Sequence, residues 1–218
     1  MNDMEVILFE QIPDLFDAVG RLFVQKKEEL CEMDAMLGDG DLGLTMSKGY
    51  AALPDLMRQE APAADSDIGK MMMKAGMKMS SLVPSTMGFL MSTGVMEGGK
   101  ALKGKQQMDG NALADYLNGF AAGIQKRGKC QEGQRTIYDS ILPAARAAKE
   151  AADGQASLEQ VISAALKAAQ AGVEATKDMV PVFGKAAVHA QKCKGVADQG
   201  AVAGCYKIQG MADYICGK

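Results

Sequence analysis

Three aspartates, Asp34, Asp39 and Asp41, fall within eight residues of the stretch D-A-M-L-G-D-G-D-L-G-L-T-M-S-K-G, which runs from Asp34 to Gly49. Gly38, Gly40 and Gly43 are threaded among them. Carboxylates this close repel one another, and glycine weakens a helix, so packing alone does not favour the arrangement. A hard divalent cation reverses the electrostatic cost. Mg²⁺ takes oxygen ligands from a few carboxylates, keeps some waters and fills its other positions with substrate phosphates. The glycines let the backbone turn tightly and come close to a ligand. The helical pattern resuming at Leu44 places amide N–H groups near a phosphate. The spacing is not that of an EF-hand calcium loop. By residue type the stretch fits a Mg²⁺ loop or an acidic capping loop, since aspartate also favours N-caps and turns.

The elements that must position this loop read as helices. Ile7, Ile12, Leu15, Phe16, Val19, Leu22 and Phe23 recur at helical spacing and Leu30 extends the stripe, with Pro13 marking a start or a kink. Met46, Tyr50, Leu53 and Met57 predict a helix over about 44–58. Residues 61–65 read as a loop, with Asp65 or Ser66 as the N-cap of a helix carrying Ile68, Met71, Met72, Ala75 and Met79. The run S-S-L-V-P-S-T-M-G breaks the pattern, and another helix starts near residue 86. The methionines around it read as core packing by a flexible side chain. Further helices are predicted over about 111–126, 136–152 and 157–172, and a last one carries Ala201, Cys205, Ile208, Ala212 and Ile215. Residues 180–199 show little periodicity and read as a long connecting loop, of the kind that is either a functional lid or disordered.

Composition agrees. Methionine is abundant at 17, aromatics are 5%, and good helix formers dominate. The reading is an all-α single domain of eight helices over residues 1–218. The net charge of −3 has both signs spread through the chain, so no basic stripe argues for nucleic acid. No apolar run approaches a membrane span, and the acidic start is unlike a secretory signal. Five cysteines without a C-x-x-C pair read as reduced thiols of a cytoplasmic protein.

The acidic loop, the segment R-G-K-C-Q-E-G-Q-R-T and the segment Asp198-Gln199-Gly200-Ala201 occur in an order that resembles the L-subunit family of dihydroxyacetone kinases. The resemblance covers nearly the whole chain. It implies an eight-helix antiparallel barrel with Mg²⁺, two ions in number, and ADP or ATP held by loops at one end. By position, Asp34, Asp39 and Asp41 resemble the family's metal-holding aspartates. Leu42, Gly43, Leu44 and Thr45 would follow the backbone past the phosphates, and the phosphate segment falls on Ser85, Thr86, Met87 and Gly88. Gly128 and Ile137 would flank the adenine or ribose. Lys185 falls where the family carries an arginine near the terminal phosphate, and Asp198, Gln199 and Gly200 complete the pocket.

The chain departs from the family pattern at several of these positions. Leu42 stands for His or Thr, Thr45 for Asn, and Gln199 for the usual proline; the segment P-S-T-M-G keeps a single glycine. Lys185 keeps a positive charge without the guanidinium fork. The resemblance implies phosphoryl transfer to a ketose held on a separate K subunit. An L subunit that stands alone points to the phosphotransferase-system variety, in which an M subunit fed from phosphoenolpyruvate rephosphorylates bound ADP. An ATP-exchanging kinase subunit, a nucleotide-sensing regulatory module and a helical scaffold are the alternatives. His189, the one histidine, reads as a solvated lid residue. Whether a homodimer forms is left open.

Overall fold

The computed structural model describes residues 4–36, 38–188 and 193–217, without the side chains of residues 184 and 185. His189 lies outside the described residues.

The long apolar stripe at the start of the chain is not one helix. Helix α1 (Ile12–Gln25) begins with Pro13 in its first turn, and α2 (Lys27–Ala35) follows after Lys26. Proline cannot donate to an earlier turn, so no helix extends back to Ile7. Ile7 instead belongs to β1 (Ile7–Leu8), which pairs antiparallel with β2 (Gln107–Met108). At Lys26 the backbone leaves helical geometry, with φ −93° and ψ 8°. Glu29 holds this corner, accepting from Lys26 Nζ at 2.7 Å and from the Tyr206 hydroxyl. The corner re-aims the last turn, so that α2 buries Leu30 and Asp34.

Helix α3 (Leu42–Glu60) follows the acidic loop, and α4 (Ile68–Leu82) is capped by Asp67, which accepts from Lys70 N at 3.0 Å. The cap is therefore not Asp65 or Ser66. Those two residues form the preceding turn at φ 53° and 58°, a conformation incompatible with the extended backbone of an N-cap. Next come α5 (Thr86–Ala101), α6 (Gly110–Gly128), α7 (Tyr138–Asp153) and α8 (Leu158–Ala175). The segment read as a plain loop carries a short helix, α9 (Gly184–Val188), before α10 (Gln199–Ile215).

Eight long helices close a ring in the order α1, α3, α4, α5, α6, α7, α8, α10, with α10 packing back onto α1. Neighbours alternate in direction, which makes an antiparallel all-α barrel. One continuous apolar core takes side chains from every long helix and from Leu30 of α2. Most methionines serve that core, Met46, Met57, Met71, Met72 and Met79 among them, whereas Met36, Met73 and Met77 are exposed. No helix among the described residues is long and apolar enough to cross a membrane.

Among the described residues, one lysine lies in the barrel interior. Lys207 of α10 is fully buried, with Nζ 4.4 Å from the Tyr116 ring centroid, 4.3 Å from that of Phe120, and 3.1 Å from Met211 Sδ. Burial holds its pKa well below the ordinary lysine value. Two desolvated cation–π contacts are worth about 2 kcal/mol or more each, against a desolvation cost of several kcal/mol for the charge. The charged form is thus barely supported, and methionine fills a similar volume. Lys207→Met is expected to raise stability by about 1–3 kcal/mol in urea melts at pH 7. The unfolded chain binds the proton more tightly, so the parent gains stability as pH rises toward 10, and the variant loses that gain.

Candidate functional site

The alternation of the barrel brings the N-termini of α3, α5, α7 and α10 to one end. The first turns of these helices line a single cleft of about 390 Å³, together with the three aspartates. Backbone N–H groups and positive dipole ends of four helix starts point toward this region, which favours an anion. Two of the four helix starts carry a side-chain N-cap. Ser85 Oγ accepts from Gly88 N at 3.0 Å to cap α5, and Asp198 Oδ2 accepts from Ala201 N at 2.9 Å to cap α10.

One wall of the cleft is acidic. Carboxylate oxygens of Asp34, Asp39 and Asp41 lie within 4.8 Å of one another. Asp34 is buried, and its Oδ2 accepts from Gly40 N at 2.9 Å and Asp41 N at 3.1 Å. These bonds fold the loop back over the end of α2, with Gly40 supplying a φ of 76°. Its Oδ1 accepts from Gln199 Nε2, 3.3 Å away on the opposite wall. The ligand atoms offered are all hard carboxylate oxygens, and the helix ends beside them attract phosphate. A Mg²⁺ ion carrying phosphates fits both features.

The other wall rests on a buried ion pair. Arg135 Nη1 donates to Asp198 Oδ1 at 3.3 Å and Nη2 to the Val196 carbonyl at 3.0 Å. Arg135 is 3% exposed and Asp198 6%. Burial pushes the Asp198 carboxyl up to about 6, although the Ala201 N–H and the Arg135 guanidinium both oppose the shift. Asp139, also buried, organises the loop that carries Arg135. Its Oδ1 accepts from Gly133 N at 2.5 Å and its Oδ2 from Thr136 N at 2.8 Å. Met87, Leu90 and Ile137 add apolar side chains to the lining, and Phe183 and Ala186 line the cleft as well.

The residues singled out in the sequence divide into two groups. Asp34, Asp39, Asp41, Leu42, Ser85, Thr86, Met87, Ile137, Asp198, Gln199 and Gly200 all line the cleft. Thr45 sits just behind it, its hydroxyl 3.3 Å from that of Ser85. Leu44 is exposed and outside the lining. Gly43, Gly88 and Gly128 are outside it too. A Cβ on Gly43 would lie 1.9 Å from the Lys27 carbonyl, and one on Gly88 would lie 2.0 Å from that of Val83. Those two glycines therefore permit close backbone packing of the helix starts. Gly128 ends α6 behind Leu90. Lys185 is on α9, and its side chain lies outside the described residues.

Arg135, Thr136, Leu90, Phe183 and Ala186 line the cleft without having been picked out from the sequence. Arg135 stands at the end of the recognised R-G-K-C-Q-E-G-Q-R run, so its segment carried a signal. Its partner Asp198 is far along the chain, and no local spacing announces the pair.

The DAK2 domain family matches residues 36–213 of the chain. The chain is 27% identical over 203 residues to the PEP-dependent dihydroxyacetone kinase ADP-binding subunit DhaL of Escherichia coli K12, spanning 93% of this chain and 95% of that one. It is 28% identical over 192 residues to a subunit of Listeria innocua, PEP-dependent dihydroxyacetone kinase 1, ADP-binding subunit DhaL, spanning 88% of this chain and 89% of that one. Its fold is similar to the crystal structure of the dihydroxyacetone kinase from C. freundii in complex with AMP-PNP and Mg²⁺. That match has a TM-score of 0.69 at 23% identity and covers 93% of this chain and 33% of that one.

Proposed function

This chain belongs to the DAK2 domain family, and from that membership we propose that it is the ADP/ATP- and Mg²⁺-binding subunit of a dihydroxyacetone kinase. The observation that carries the reading is the meeting of Asp34, Asp39 and Asp41 with four helix N-termini in one cleft. Asp34, Asp39 and Asp41 hold Mg²⁺, two ions on the family pattern. Bound there, Mg²⁺ neutralises charge on the nucleotide's terminal phosphates. The backbone amides opening α5 and α10 face those phosphates, and Met87, Leu90 and Ile137 take the base. Phe183 and Ala186 exclude water from above. Lys185, carried on α9 between them, supplies positive charge to the transferred group.

The phosphoryl acceptor is a ketose held on a separate K subunit, so this chain supplies half of an active site. Phosphoenolpyruvate, through an M subunit, rephosphorylates the bound ADP. That part is supported by the names of the two relatives matched over nearly their whole length. The continuous core supports a single domain, and five cysteines in no disulfide support a cytoplasmic setting.

Denaturing the freshly purified protein and identifying released nucleotide by chromatography, with metal analysis alongside, tests the reading. Stoichiometric ADP with Mg²⁺ is the expected result. An empty protein that exchanges ATP freely would replace the phosphoenolpyruvate relay with an ordinary kinase cycle. A protein that binds neither nucleotide would overturn the assignment.

A further inference from the structure

We propose that Gln199 is a positioning residue for the metal ligand Asp34, its side-chain amide fixing which lone pair of the carboxylate faces the cation. The inference rests on the Mg²⁺ site proposed above. Gln199 opens α10, directly after the Asp198 cap. The first residue of a helix has no intrahelical acceptor for its N–H, and proline is accepted there, so helix formation does not require glutamine. The side chain reaches across the cleft instead, with Nε2 3.3 Å from Asp34 Oδ1. An ionised carboxylate only accepts, so the NH₂ end of the amide must face it.

Asp34 offers roughly four lone-pair directions. Two on Oδ2 are taken by Gly40 N and Asp41 N. Gln199 takes one on Oδ1, which leaves a single direction on that oxygen for a cation. The same bond spans the cleft from the start of α10 to the acidic loop.

Gln199→Ala and Gln199→Pro both remove the amide and keep a residue suited to the helix start. Mn²⁺ serves as the probe, with free ion read by electron paramagnetic resonance on nucleotide-free protein. Metal-free melting is followed by circular dichroism. Both variants are expected to bind Mn²⁺ at least about 10-fold more weakly, the usual effect of losing a hydrogen bond to a ligand, with metal-free melting unchanged. Unchanged Mn²⁺ affinity in either variant would overturn the inference. So would a fall in metal-free melting that parallels the loss of affinity, because the bond would then serve structure alone. Parent protein that takes no Mn²⁺ would remove the metal site itself, a failure visible before any variant is made.

Discussion

Asp34→Asn is expected to weaken Mg²⁺-dependent nucleotide retention about 10³-fold while leaving the helical circular dichroism signal and the metal-free melting temperature intact. The variant keeps one carboxamide oxygen for the Gly40 and Asp41 amides, so the loop can still fold over α2. Gln199 can turn its own carbonyl toward the new NH₂. What disappears is one negative charge from a cluster whose oxygens lie within 4.8 Å. Without metal, that loss relieves like-charge repulsion and costs no stability. With metal, it removes a hard ligand worth several kcal/mol, and each 1.36 kcal/mol is a factor of ten. Isothermal titration with ADP, at saturating Mg²⁺ and again with chelator, checks the result. If the variant retains ADP as the parent does in Mg²⁺, the aspartates do not hold the ion.

Arg135→Met attacks the opposite wall and acts on stability. Removing the guanidinium leaves Asp198 buried and unpaired, and breaking a buried ion pair from one side costs about 3–5 kcal/mol. At about 2–4 °C per kcal/mol for a chain of this size, the midpoint should fall by about 10 °C. The penalty is expected to depend on pH. In the parent, Asp198 titrates at about 6 when folded against an ordinary 3.8, so the folded state binds the extra proton and stability falls as pH rises through that window. Loss of Arg135 pushes the folded value higher still and carries the window toward neutrality. The gap between variant and parent should therefore be wider at pH 8 than at pH 5, where Asp198 is protonated and carries no unpaired charge. Glu29 and Glu60, whose pKa values are lowered by their lysine partners, lose their contributions at lower pH and do not obscure the comparison. Arg135→Met combined with Asp198→Asn should recover part of the loss, since asparagine also caps a helix.

Much of this molecule was legible before any fold was known. Periodic apolar residues marked the long helices because a helix repeats its buried face every three to four residues, and Ile12 to Phe23 keep that rhythm. The acidic loop was legible for the same reason of locality. Asp34, Asp39 and Asp41 are so close in sequence that any compact turn brings them together. The errors were also local. Ile7 kept the helical rhythm but lies on the far side of Pro13, which stops the helix. Asp67 took the capping role because Asp65 and Ser66 had to turn the chain.

The tertiary structure alone decided which distant groups meet. Gln199 reaches Asp34, Arg135 pairs with Asp198, and Phe183 joins Met87 and Ile137 in the cleft lining, because α10 closes the ring against α1 and so brings the end of the chain beside its beginning. Lys207 was hidden for the same reason: α10 is packed by neighbours on nearly every side, so its one interior cation lies off the apolar stripe that the sequence displays. Spacing along a chain fixes contacts within a turn or a loop, where the chain itself limits the distance. Contacts across a barrel depend on how its helices close, and no single segment contains that information.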